Sequence, residues 1–197
     1  MPKATKPDAV AMLKADHRKV EDLFAKFEGT RSTTRKQALV QQICTELMIH
    51  ATIEEEIFYP ACQSKIEEDM LQEAYVEHDG AKVLIAELLA SKPEAEFYDA
   101  KVMVLSEQIK HHVKEEEMRS EGMFAQARAA GLDMDVLADQ MAARKKALVA
   151  EFKATGLPKP RTRSFTGHDL ARDKPVRPGA TPASARARAG QGAPAPL

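Results

Sequence analysis

Residues 43–61, ICTELMIHATIEEEIFYPA, step through Ile43, Leu47, His50, Glu54, Ile57 and Ala61 at alternating intervals of four and three. That interval keeps one face of an α-helix turned toward a partner, the seam of an antiparallel helical bundle. Yet the middle of this seam holds an imidazole and a carboxylate. Either group, buried without a partner, costs on the order of several kcal/mol. The stretch therefore predicts a bundle and something inside it that satisfies polar groups.

Three more stripes of the same kind flank it. Val10, Leu13, His17, Val20, Phe24 and Phe27 form one, and Leu71, Ala74, His78, Ala81, Ile85 and Leu88 a second. The third is Val102, Leu105, Ile109, His112 and Glu116. Asp8 can cap the first helix, which Gly29 stops. Thr33 or Thr34 caps a second helix running to about Ser64, and Pro60 ends or kinks its last turn. A third helix spans roughly 67–91, before Pro93. The fourth runs from near Glu94 to about Ala129, weakened at Gly122. After Gly131, Asp133 caps a fifth helix to Thr155, whose Leu137, Met141, Leu148 and Phe152 give it a face for docking. The expected fold is all-α: an antiparallel up-down four-helix bundle with an additional C-terminal helix and a disordered tail. The domain occupies 8–156, with the seam-bearing helices in 8–130 and the extra helix at 133–155.

Composition separates the tail. Residues 1–156 carry a net charge of −7, whereas 157–197 carry eight basic and two acidic residues with seven of the chain's 11 prolines. With one aromatic, Phe165, the tail cannot bury enough apolar surface to offset its chain entropy and reads as disordered. The mildly acidic core gives no reason to expect nucleic acid. No run approaches the ~18 apolar residues of a membrane span, and Met1–Pro7 lacks the apolar stretch of a secretory signal. Cys44 and Cys62 fall on one helix, about 27 Å apart in rise, too far for a disulfide. They read as packing residues of a reducing cytoplasm.

The polar seam residues have a common logic. His17 and His50 are 33 residues apart, His78 and His112 are 34, and short loops make successive helices antiparallel. All four histidines therefore fall at one level of the bundle. His50-x-x-x-Glu54 and His112-x-x-x-Glu116 each set an imidazole and a carboxylate one turn apart on one face. A lone seam histidine is ordinarily a hydrogen-bonded core residue, but four at one level with two glutamates point to a metal. Two facing pairs can supply two bridging carboxylates and two imidazoles, with His17 and His78 adding one imidazole per metal. Mixed nitrogen and oxygen ligands with open positions suit a pair of iron ions better than a closed structural zinc site. Glu55, Glu56 and Glu117 read as solvated charge. His111 and Glu115 are also four apart, but they lie off the Val102–Leu105–Ile109 face, so His111 belongs at the surface or behind the ligands.

These segments resemble one family: Asp16-His17-Arg18, His50 through Pro60, Glu77-His78, and His111 through Glu117. Together they are similar to the bacterial hemerythrin-like HHE cation-binding domains of the hemerythrin family, over about residues 8–130. The resemblance implies an up-down four-helix bundle with a non-haem di-iron centre. Its terminal ligands would be His17, His50, His78 and His112, and Glu54 and Glu116 would bridge. Two departures stand out. Oxygen-carrying members place a further histidine one turn before the third-helix ligand, where this chain has Ala74; water, or Tyr75, would take that position. Glu116 is followed by Met118–Gly122 rather than by the Phe-Tyr-Pro that follows Glu54.

The function expected from this reading is a di-iron protein that binds or reacts with oxygen, peroxide or nitric oxide. Leu13, Val20, Leu47, Ile57, Leu105 and Ile109 would wall the site against water. Two alternatives stand beside it. One is a metal-dependent sensor whose tail arginines, Arg161, Arg163, Arg172, Arg177, Arg186 and Arg188, meet an acidic protein partner. The other is an iron buffer without turnover.

Overall fold

The computed structural model describes residues 6–165. Its long helices are α1 (Ala9–Glu28), α2 (Thr33–Ile53), α4 (Glu68–Leu89), α5 (Tyr98–Glu117) and α7 (Met134–Thr155). Short helices α3 (Tyr59–Cys62) and α6 (Met123–Ala129) follow α2 and α5. No strand occurs among the described residues. α1 packs on α2, α2 on α4, α4 on α5 and α5 back on α1, closing a four-helix ring, while α7 lies against α1 and α2.

Local chemistry sets the helix ends. Asp8 accepts the Ala11 N–H at 2.9 Å and opens α1, giving the first turn's orphan donors a partner. α2 is capped by Ser32, which accepts from Arg35, one residue ahead of the threonines expected for that role. α5 starts at Tyr98 rather than near Glu94, because Lys92–Phe97 form successive tight turns. Along α7, Leu137, Met141, Leu148 and Phe152 are buried.

Two departures from regular helix shape the interior. After Ile53 the chain widens into a π turn, Glu54–Phe58, in which the Tyr59 N–H reaches the Glu54 carbonyl. One extra residue in the turn rotates everything beyond it. The seam therefore leaves its expected phase: Ile57 and Ala61 are only half-buried, whereas Phe58, Tyr59 and Cys62 are fully enclosed.

At the other motif helix, α5 stops at Glu117 instead of running to Ala129. Met118 takes an extended conformation (ψ 134°) and the chain doubles back on itself. Gly122 makes this possible, since a Cβ there would lie 2.6 Å from the Met118 nitrogen and 2.7 Å from the Glu115 and Glu116 carbonyls. α6 then returns Phe124 to the interior, where its ring stacks on His17 at 5.9 Å.

Of the tail, expected to be disordered from residue 157, residues 157–165 are described, and most of them are exposed. Arg163 and Ser164 donate backbone N–H groups to Asp79 of α4. The rest of the expected disordered tail, including His168, lies outside the described residues. Cys44 and Cys62 are buried free thiols, and burial pushes both up to about 12.

Candidate metal centre

All six seam residues meet in one place. His17 comes from α1, His50 from α2, Glu54 from the start of the π turn, His78 from α4, and His112 and Glu116 from α5. They form two groups that share Glu54. One holds His17, His50, Glu54 and Glu116, the other Glu54, His78 and His112, with the ligand-type atoms of each group within 4.8 Å of one another. Each carboxylate spans both groups. Glu54 Oε2 is 3.1 Å from His50 Nε2 and 3.4 Å from His78 Nε2. Glu116 reaches His17 Nε2 at 3.3 Å with one oxygen and His112 Nε2 at 3.5 Å with the other.

The outer ring nitrogens are held by a second set of carboxylates. His17 Nδ1 donates to Glu117 at 2.7 Å, His78 Nδ1 to Glu55 at 3.0 Å, and His112 Nδ1 to Glu77 at 2.7 Å. His50 Nδ1 faces Asp16 Oδ2 at 3.8 Å, beyond hydrogen-bond reach. The four form a cycle around the bundle. Asp16 on α1 lies beside the α2 histidine without bonding it, whereas Glu55 beyond α2 holds the α4 histidine, Glu77 on α4 the α5 histidine, and Glu117 on α5 the α1 histidine. Every one is the sequence neighbour of a seam residue but partners the next helix. One residue is about 100° of rotation, enough to turn a side chain from the seam toward the adjacent helix. Glu55 and Glu117, expected in solvent, are thus largely buried partners, while Glu56 is exposed and paired with Arg144 of α7 at 2.6 Å.

An ionised carboxylate only accepts, so a ring that donates through Nδ1 turns a bare Nε2 lone pair inward. His78 and His112 then oppose two such nitrogens at 3.2 Å, and His17 turns one toward His50 Nε2 at 3.0 Å. Both oxygens of Glu54 and Oε2 of Glu116 are buried without a hydrogen-bond donor. Lone pairs converging in this way repel unless a cation lies among them, so the donor set fits bound metal. In the metal-free chain protons offset part of that repulsion. Burial and the nearby Glu116 push Glu54 up to about 8. Burial opposes ionisation of Glu116 too, but His112 and His17 hold it well below the usual carboxylate range.

Tyr59 is the residue that the seam pattern missed. Its hydroxyl donates to Glu116 Oε1 at 3.1 Å and lies 3.3 Å from His78 Nε2 and 3.5 Å from His112 Nε2. Burial, with Glu116 and Glu54 close by, holds that phenol well above its usual 10. Tyr75, the substitute suggested by sequence, instead sets its ring edge-on to Tyr59 at 5.3 Å. His111 is 59% exposed, beside Glu115 at 3.1 Å and Glu77 at 3.6 Å. A cavity of about 20 Å³ touches all four seam imidazoles and is otherwise lined largely by Val20, Leu47, Ile85, Ile109 and Val113.

The sequence matches the Hemerythrin HHE cation binding domain over residues 8–124. The chain belongs to this family. HHE domains bind metal cations, typically iron, and the buried histidine and glutamate groups could hold one. The fold is also that of a crystal structure of a hemerythrin HHE cation binding domain-containing protein from Mycobacterium kansasii. That likeness has a TM-score of 0.62 at 21% identity and covers 77% of this chain and 96% of that one. A protein named DNA nickase from Nostoc sp. (strain PCC 7120 / SAG 25.82 / UTEX 2576) is 32% identical over 106 residues, 54% of this chain. The match spans only 30% of the nickase's length. Among the described residues no helix is long and apolar enough to cross a membrane.

Proposed function

We propose that this HHE domain holds two iron ions and binds or reacts with a small oxidant: oxygen, peroxide or nitric oxide. His17 and His50 would be terminal ligands of one iron, His78 and His112 of the other, and Glu54 and Glu116 would bridge. The carrying observation is the pair of opposed Nε2 contacts, linked to one another by two carboxylates of whose four oxygens three lack a donor. A ferrous iron pair held there would supply the electrons for reaction with the small molecule. The protein supplies the rest. Glu117, Glu55 and Glu77 fix the tautomers of His17, His78 and His112 and make those rings better donors. The 20 Å³ cavity has room for about one small molecule, and its largely apolar lining disfavours water over a neutral diatomic. Tyr59 Oη holds its proton at Glu116 and faces the His78–His112 half, which carries two histidines where oxygen-carrying relatives have three. That arrangement favours reaction or sensing over simple reversible carriage.

The nickase activity of the Nostoc relative is not carried over, because this chain corresponds to under a third of that protein. The sensor reading has one specific observation behind it, the contact of Arg163 and Ser164 with α4 beside His78.

Metal analysis with an optical spectrum of the aerobically purified protein tests the proposal. Two irons per chain with nitrogen and oxygen ligation are expected. One tightly held zinc per chain would overturn it.

A further inference from the structure

The segment after α7 lies outside the residues matched by the family, yet it reaches the metal centre's periphery. Asp79 sits on α4 immediately after His78 and is fully buried. Its Oδ2 accepts three hydrogen bonds from the returning chain: the Arg163 N–H at 2.6 Å, the Ser164 N–H at 2.5 Å and the Ser164 hydroxyl at 2.7 Å. The Arg163 guanidinium lies 4.5 Å from the centre of the Tyr75 ring, a cation–π distance. Two adjacent backbone donors on one buried carboxylate oxygen make a specific anchor.

From that anchor a polar run leads inward. Asp79 Oδ1 accepts from Lys82 Nζ at 3.3 Å, and Lys82 Nζ also donates to Glu55 Oε1 at 2.6 Å. Glu55 Oε1 is the acceptor of the His78 Nδ1–H at 3.0 Å. Lys82 is itself buried, so its one positive charge is divided between two carboxylates. One belongs to the C-terminal anchor, the other to His78.

We propose that residues 161–165 are a latch, and that its closure on Asp79 and metal occupancy at His78 favour one another. The inference rests on the reading that His78 is a metal ligand. A cation on His78 Nε2 makes the Nδ1–H a stronger donor and draws Glu55 toward the ring. With the latch closed, three donors from Arg163 and Ser164 satisfy Asp79, and Lys82 is free to hold Glu55 in that position. With the latch open, Asp79 keeps only Lys82, which is pulled from Glu55 and loosens the support of His78. Linkage makes the effect reciprocal: whatever closure adds to metal affinity, metal adds to closure. The basic stretch beginning at residue 157 would in this way carry a signal set by the state of the metal centre. The expected coupling is about fivefold, at the low end for coupled sites, because three residues intervene.

The test uses the full chain, metal-free and loaded anaerobically with ferrous iron. Hydrogen exchange of the peptide containing residues 163 and 164 should slow about fivefold on loading. Ser164→Pro, which removes both a donor N–H and the hydroxyl from a segment outside the helices, should still bind two irons. It should release iron to a chelator about fivefold faster than the parent, and Arg163→Ala should do so to a smaller degree. If exchange at 163–164 ignores iron and Ser164→Pro releases iron at the parental rate, the latch is overturned. His78→Ala separates that failure from failure of the underlying assignment. A His78→Ala protein that holds as much iron as the parent would remove His78 as a ligand, and the latch with it. Loss of iron in His78→Ala with no response at 163–164 would remove the latch alone.

Discussion

The two His-x-x-x-Glu helices carry the same ligand motif and continue in opposite ways. After Glu54 the chain stays helical through a π turn and brings Tyr59 to His78 and His112. After Glu116 the helix ends, reverses at Gly122 and brings Phe124 onto His17. One half of the centre is therefore closed by a phenol, the other by a phenyl ring. Repetition built the buried histidine–glutamate set, and its two endings made the halves chemically unequal. The His78–His112 half, beside a proton-bearing group and the C-terminal anchor, is where reactivity and regulation would concentrate.

The largest expected effect tests the shared motif before the inequality. His112→Ala and Glu116→Ala should each lose half or more of the bound iron. Changes to groups behind a ligand already cost about 10–100-fold in affinity, and a ligand should cost at least that. His111→Ala and Glu115→Ala should keep most of it, because His111 points to solvent. Iron content per folded chain distinguishes the pairs, and the reverse ranking would mean that the ligand face of α5 is misassigned.

Gly122→Ala strikes at the ending of α5. A Cβ 2.6 Å from a backbone nitrogen and 2.7 Å from two carbonyls cannot be absorbed by side-chain rotation. Overpacking of this sort costs about 1–3 kcal/mol, so the melting temperature should fall by several degrees. Unchanged melting would show that the reversal does not need glycine.

Tyr59→Phe probes the other ending. It should leave both irons bound, since the phenol is not needed to complete either histidine pair. In the metal-free protein it removes a hydrogen bond to a charged group, worth about 1.5 kcal/mol. Denaturant unfolding in the presence of a chelator reads that loss. The loaded protein's optical spectrum should shift at the same time, whereas Phe124→Leu should leave it nearly unchanged.

The smallest signal comes from the thiols. Burial raises Cys44 and Cys62 from 9 to about 12, so folding favours the protonated form. That contribution is complete below the unfolded value of 9 and is lost as pH rises through 12. Alkylation of the native protein at pH 8 should be negligible beside that of the denatured chain. Rapid native labelling would mean that the region around α2 and α3 opens readily.

The bundle and the convergence of six polar residues were legible because both depend on helical period, which sequence displays directly. The period also separated His112 from His111. What it could not display was a change of phase. The π turn exchanges Ile57 for Phe58 on the seam and delivers Tyr59, and nothing in Glu-Glu-Glu-Ile-Phe marks a turn with one residue more. Glu55 and Glu117 read as solvent charge because each adjoins a seam glutamate in an acidic run. Their partners lie on other helices, although the repeated pattern of a carboxylate beside each seam group was a usable signal. The end of α5 was hidden because Gly122 acts through close approach to backbone four to seven residues earlier. The anchor at Asp79 joins positions 84 and 85 residues apart, a distance over which periodicity says nothing.

Anomalous diffraction at the iron edge from crystals of the iron-loaded protein tests the central claim most directly. The account predicts two peaks per chain, one between His17 and His50 and one between His78 and His112, with Glu54 and Glu116 spanning them. A single peak, or a peak at the exposed Glu77–His111–Glu115 group with the buried histidines empty, would contradict it.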